Sequence, residues 1–125
     1  MIYGIGTDIV STTRIEAALA RFGERFAMRV LAPEEREAFL ASEHPARFLA
    51  KRFAAKEALA KAIGTGLRHP VTLHGIHVVH DPLGRPGLGF GPELMEALQA
   101  RGIRSHHLSI SDEKDMAVAF VVLEQ

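Results

Sequence analysis

The chain has 125 residues, no cysteine, and 15 Lys plus Arg against 15 Asp plus Glu. Zero formal charge favours no polyionic partner, so a nucleic-acid or membrane role would need a local patch. The missing cysteines exclude disulfides and thiolate metal sites and are compatible with a reducing compartment.

No composition break divides the chain, and one domain over residues 1–125 is expected. A domain of this size buries roughly two thirds of its unfolded surface, enough for one core. The longest plain apolar run, Met116 to Leu123, falls far short of the ~20 residues of a membrane helix. MIYGIGTDIV has neither the basic start nor the long apolar run of a signal peptide. A soluble, cytoplasmic protein is expected.

IYGIGTDIV alternates as a strand. Tyr3, Ile5, Thr7 and Ile9 share one face; Gly4, Gly6 and Asp8 share the other. Two glycines beside Asp8 leave open space, for a packed element or for a ligand. Asp8 is the only acid in this strand, and its plain alternative role is to cap the next turn.

Ser11 to about Leu31 reads as helix, with Ser-Thr-Thr as cap region and Gly23 as a candidate break. Ile15, Leu19, Phe22, Phe26 and Val30 form its apolar stripe. If the helix continues past Gly23, Arg14, Arg21, Arg25 and Arg29 fall within about 80° beside that stripe. They form either a solvated basic face or a surface for an acidic partner. APEEREAFLAS restarts a helix, with Pro33 in its first turn and acids after it. A longer helix runs from about Ala46 to Ile63 and ends in Gly-Thr-Gly.

The second half changes period. VTLHGIHVVHD reads as a strand, DPLGRPG as a turn and LGF as a candidate short strand. GPELMEALQARG is a short helix. SHHLSIS and MAVAFVVLE are strands joined by DEKD, a hairpin. The order predicts an α+β fold, a small, mostly antiparallel sheet packed against a long helix.

The chemistry concentrates in FAAKEALAKAIGTG. Glu57 is the only carboxylate between Glu43 and Asp81, an interval with six Lys or Arg. Phe48, Ala55, Leu59 and Ala62 line one helix face; Glu57 points the other way, among Ala50, Phe53, Ala54 and Lys61. Both faces are mostly small and apolar, so the helix is expected to be covered on two sides with Glu57 partly buried. A buried carboxylate costs several kcal/mol unless paired or metal-bound. Two readings stay open. One is an i,i+4 salt bridge to Lys61. The other is a cation shared with Asp8, since Mg²⁺ takes one or two carboxylates, keeps waters and completes its shell with phosphates.

In HHLSISD, His107, Ser109 and Ser111 alternate onto one face, while Leu108 and Ile110 point to the core. His74, His77 and His80 would converge only on a helix; in a strand His77 points away. GIGTD and GLGFGP lack the full dinucleotide fingerprint. A non-catalytic module docking an acidic protein and an RNA-binding module remain as alternatives. Zero net charge and few aromatics, seven Phe and one Tyr, disfavour the second.

GIGTDIV, RFLAKRFAAKEALAKAIGTG and HLSISDEKDMAVAFVVLE occur in this order and frame essentially the whole chain. Together they resemble the holo-acyl-carrier-protein synthase family, the short, single-copy class of 4′-phosphopantetheinyl transferases. The resemblance implies that family's fold and reaction. Coenzyme A donates its 4′-phosphopantetheine arm to a serine of apo acyl carrier protein, adenosine 3′,5′-bisphosphate leaves, and Mg²⁺ is required. It implies Asp8 and Glu57 as metal ligands, with Glu57, Lys61 and His107 as catalytic residues. Lys61, Gly64, Arg85, Pro86 and His107 would contact coenzyme A. The serine proton would go to Glu57 itself or to a bound water. Because carrier proteins are acidic, Arg14, Arg21 and Arg25 become the docking residues. A homotrimer with interfacial active sites is implied, with no nucleic-acid or membrane partner. Asp112 stands where many family members carry a second histidine.

Overall fold

The structure is a computed structural model covering residues 1–125. Strand β1 (Ile2–Ser11) leads into helices α1 (Thr12–Phe22) and α2 (Glu24–Val30). A 3₁₀ turn at Pro33–Glu35 precedes α3 (Arg36–Leu40) and the long α4 (Pro45–Ile63). A hairpin of β2 (Ile76–His80) and β3 (Pro86–Phe90), helix α5 (Pro92–Ala100), and strands β4 (Ser105–Asp112) and β5 (Met116–Glu124) complete the chain. The main sheet has the order β1-β5-β4, all antiparallel; β2 and β3 pair only with each other. This is the α+β arrangement expected. No helix is long and apolar enough to cross a membrane.

The candidate break in the first helix is present, and two further elements differ from the sequence reading. The first helix divides at Gly23, whose φ of 66° no regular helix accepts. Residues 71–75 turn rather than extend: Gly75 donates its N–H to Thr72 O at 3.1 Å and to Thr72 Oγ1 at 3.0 Å, so β2 starts only at Ile76. β3 in turn begins at Pro86, ahead of the short LGF segment.

α4 lies across the inner face of the main sheet, and the glycine face of β1 lets it come close. A Cβ at Gly6 would overlap the Ala58 carbonyl and stand 2.7 Å from Ala62 N; one at Gly4 would overlap the Ala62 carbonyl. The open space above those glycines is filled by a packed element. Both obstacles are helix backbone, which cannot rotate aside. Gly6→Ala is therefore expected to lower stability by about 1–3 kcal/mol or more, read as a smaller urea midpoint. An unchanged midpoint would show that α4 can retreat at no cost.

The core on this face is fine-grained. Ala54, Ala55, Ala58 and Leu59 of α4, and Ala117, Ala119, Val121 and Leu123 of β5, are fully buried. α4 is covered on its far side as well, and there the burial includes charges. Lys56 is 0 % exposed, Glu35 3 % and Arg52 8 %. Lys56 Nζ donates to Glu35 Oε1 at 2.6 Å, Val30 O at 2.7 Å and Leu73 O at 2.9 Å. Glu35 also accepts from the N–H of Ala32 at 2.9 Å and of Val78 at 3.0 Å. Arg52 Nε stands 3.3 Å from Glu35 Oε2, with its guanidinium 4.3 Å from the centre of the Phe48 ring. At the C-terminal end, Gly64 in the left-handed region, φ 95°, stops α4.

Candidate active site

Asp8 and Glu57 face each other where β1 passes under α4. The glycine spacing of β1 turns Asp8 toward the helix, and the helix period turns Glu57 toward Asp8. Lys61, one turn beyond Glu57, does not form the i,i+4 bridge. Its Nζ donates to Asp8 Oδ1 at 3.0 Å and to the Thr7 carbonyl at 3.0 Å. Glu57 has no salt-bridge partner of its own. Burial, then the neighbouring Asp8 charge, push its carboxyl above the ordinary glutamate value, and Lys61 offsets this only in part. Two carboxylates thus stand near one ammonium, which bonds only Asp8 of the two and is half exposed. The cluster is short of positive charge. It is also open to solvent, which a cation needs in order to enter.

A second set of residues lines a groove of about 600 Å³ along β4, the edge strand of the sheet. The β2–β3 turn supplies Arg85 and Pro86, and β4 supplies His106 and His107. Asp81 shapes the turn: its Oδ1 accepts from the N–H of Leu83 at 2.9 Å and of Arg85 at 2.8 Å. These bonds, that from Arg85 foremost, hold the Asp81 carboxyl below its usual range. Asp81 Oδ2 also stands 3.5 Å from Arg85 Nε, leaving the Arg85 side chain largely in solvent. His106 packs edge-on against Phe90, centroids 4.9 Å apart. Burial, and then His107, hold it below the ordinary histidine value. His107 is exposed on the opposite face, with Ser109 and Ser111, as the alternation predicts.

One chain does not bring these sets together. Asp8, Glu57 and Lys61 lie on the inner side of the sheet. His107 pairs across β4–β5 with Val122, which pairs with Ile5 on β1, and this row is the outer face. Gly64 lines a third space, a cavity of about 510 Å³ beside Arg68 and Arg101. Asp112, at the end of β4, stands 3.9 Å from Arg47. His74 contacts the Met28 carbonyl at 2.8 Å and His77 stands 3.5 Å from Glu34, so neither shares a partner with His80.

Of the arginine stripe, Arg14 and Arg21 lie on α1, and Arg25 and Arg29 on α2 beyond the break. Arg21, Arg25 and Arg29 still border one concavity, with Phe22, Phe26 and Met28 beside them. Arg14, Arg21 and Arg25 take part in none of the chain's salt bridges, and all three are exposed. Sequence reasoning missed two groups here: the Glu35–Lys56–Arg52 cluster, and Glu124, the hydrogen-bond partner of His107. Glu124 carried a signal, since it is an acid on the strand that pairs with β4.

Comparison with known proteins places the chain in a family. Residues 4–121 match the family model of the 4′-phosphopantetheinyl transferase superfamily. The holo-[acyl-carrier-protein] synthase of Nitrosospira multiformis is 61% identical over 125 residues, covering 100% of both chains. The crystal structure of the Neisseria meningitidis holo-[acyl-carrier-protein] synthase superposes with a TM-score of 0.97 at 52% identity, covering 100% of both chains. The Bacillus anthracis synthase, solved in complex with CoA (3′,5′-ADP), gives 0.81 at 40% identity over 98% of this chain and 96% of its own. The chain therefore belongs to the 4′-phosphopantetheinyl transferase superfamily, alongside its holo-[acyl-carrier-protein] synthases.

Proposed function

We propose that this enzyme transfers the 4′-phosphopantetheine arm of coenzyme A to a serine of an apo acyl carrier protein. The serine hydroxyl oxygen bonds to the phosphorus that carries the pantetheine arm, its proton passing to Glu57 or to a bound water. The bond from that phosphorus to the oxygen shared with the adenosine side breaks, and adenosine 3′,5′-bisphosphate leaves. The observation that carries this reading is the Asp8–Glu57 pair, two facing carboxylates with only Lys61 between them.

That pair suits Mg²⁺. The ion commonly takes one or two carboxylates and fills its shell with waters and substrate phosphates. Asp8 and Glu57 would hold it, and when bound it supplies Lewis-acid polarisation of a phosphoryl oxygen. The chain's own residues do the rest by position and charge, which is most of what phosphoryl transfer needs. Lys61 sets a compact positive charge one helical turn from Glu57. Gly64 ends the helix there without a side chain. Arg85, Pro86 and His107 form the groove for the phosphates and adenosine.

Because His107 and Glu57 lie on opposite faces of one sheet, the complete site needs a second copy of the chain. The outer face supports this: Ile5 is 58 % exposed, Ile9 59 % and Phe120 43 %, an apolar surface suited to burial between subunits. A homotrimer of single-domain chains, residues 1–125 each, is the assembly of this reading. The coenzyme A donor and the lack of cysteine fit the cytoplasm, with neither nucleic acid nor membrane as partner.

The test is transfer itself. Chain, coenzyme A, Mg²⁺ and an apo carrier protein are combined, and the carrier is weighed by mass spectrometry. A carrier heavier by one phosphopantetheine arm is expected, and no mass change across a panel of apo carriers would end the reading. Docking follows from Arg14, Arg21 and Arg25, unpaired charges that meet an acidic partner at the rim of the contact. Arg14→Glu and Arg21→Glu are each expected to raise the Michaelis constant for carrier roughly tenfold at low salt, leaving that for coenzyme A unchanged. Equal carrier kinetics at low salt would remove α1 from the docking surface.

A further inference from the structure

The outer face of the sheet carries one carboxylate aimed at His107. Glu124, at the end of β5, accepts through Oε1 from His107 Nε2 at 2.6 Å and from Ser105 Oγ at 3.2 Å. The strand register brings them together. Ser105 is directly opposite Glu124, and His107 is opposite Val122, two residues away on the same face. The hydrogen bond from His107, followed by that from Ser105, holds the Glu124 carboxyl below the ordinary glutamate value. It therefore remains a carboxylate, able to accept but not to donate.

This contact fixes which nitrogen of His107 faces what. A carboxylate acceptor places the hydrogen on Nε2, and the neutral ring then has its lone pair on Nδ1. Within one chain the imidazole is exposed on an edge strand, and its bond to Glu124 is the contact that selects its orientation. Ser105 braces the same carboxylate oxygen from β4. The ring so held lines the groove shared with Arg85 and Pro86.

We propose that Glu124 is a positioning residue for the transfer reaction, orienting His107 with Nε2–H toward itself and leaving Nδ1 as the nitrogen available to substrate. The proposal rests on the reading of His107 as a substrate-side residue. Glu124 touches no substrate in it and acts only through the ring.

The experiment combines ¹⁵N spectra of the His107 ring with steady-state kinetics of Glu124→Ala, Glu124→Gln, His107→Ala and the double variant. In the unmodified protein the ring is expected in the Nε2–H form, and in Glu124→Ala as a mixture of tautomers. Glu124→Ala is expected to lower kcat about 10- to 100-fold, the scale seen for carboxylate partners of metal-bound histidines taken over to this one, with the carrier KM unchanged. In the His107→Ala background it should cost nothing further. Glu124→Gln preserves size and keeps the test valid should the alanine variant fold poorly. An equal loss from Glu124→Ala with and without His107 would overturn the proposal, as would a wild-type kcat in Glu124→Ala or an unchanged tautomer. Absence of transfer by the unmodified protein would instead end the transferase reading, and the ¹⁵N spectrum would still decide what Glu124 does to the ring.

Discussion

Glu57→Ala is expected to lower kcat for pantetheine transfer by on the order of 10²–10³, the loss typical when one preorganised charge-stabilising group is removed. Asp8→Ala is expected to fall in the same range, and the double variant to be little worse than either single one, because in the proposed reading the two carboxylates would serve one cation. Removing Mg²⁺ with a chelator should abolish transfer by the unmodified protein and change the double variant little. The stability of these variants separates function from scaffold. Burial and Asp8 raise the Glu57 carboxyl above its unfolded value. With the folded value raised, the protonated form is the favoured one. The contribution of Glu57 to stability is present in full below the unfolded value and is lost as pH rises through the folded one. At neutral pH without metal, the ionised Glu57 is a cost to the fold. Glu57→Gln should therefore melt no lower than the unmodified protein in metal-free buffer while losing transfer. A variant that both melts lower and keeps its turnover at limiting Mg²⁺ would refute the ligand assignment.

Half of this site was legible in the sequence, and the reason is period. Alternation alone turns Asp8 away from Ile5 and Thr7 onto the glycine face. The helical period alone turns Glu57 away from Leu59. Each acid is isolated in its neighbourhood, so the two could be paired before any contact was known. What local period does not carry is the partner of a long side chain. Lys61 is four residues from Glu57, yet its ammonium reaches across to β1 and binds Asp8 and the Thr7 carbonyl. The outward direction of His107 was legible by the same alternation. Its carboxylate partner was not, because that depends on the β4–β5 register. Nor could period show that Glu57 and His107 fall on opposite faces of one sheet, since that is a property of the packed layers. The break at Gly23 was marked in advance by the glycine itself. The turn before β2 was not, because Thr72 and Gly75 sit in an otherwise strand-like run.

The least legible feature has the largest expected effect on stability. Lys56 sits between Ala55 and Glu57 in a pattern that reads as a polar position, yet it is the largest side chain with no exposure at all. Its compensation lies 21 residues earlier, at Glu35. Glu35→Ala removes the one carboxylate between two buried cations and leaves Lys56 with only the Val30 and Leu73 carbonyls. Breaking a buried pair from one side costs about 3–5 kcal/mol, which urea unfolding can read directly. Burial already lowers the Lys56 value, with Glu35 opposing it. Without Glu35 the larger part of that opposition is gone, Glu34 alone remaining, and the folded value lies further below the unfolded one. A lysine whose folded value is depressed contributes its full stability above its unfolded value and loses it as pH falls through the folded value. The deficit of Glu35→Ala should therefore narrow as pH rises toward the ordinary lysine range. Lys56→Met offers the contrast. It removes an ammonium but fills similar space, and it leaves Glu35 with Arg52 and the N–H groups of Ala32 and Val78. It should cost less than Glu35→Ala, because replacing a buried charge by an apolar chain avoids stranding its partner in full. Should Glu35→Ala unfold within about 0.5 kcal/mol of the unmodified protein, the scale of an ordinary surface change, the cluster would not be what clamps α4. The rotation that turns Glu57 toward Asp8 would then rest on the alanine packing of the opposite face alone.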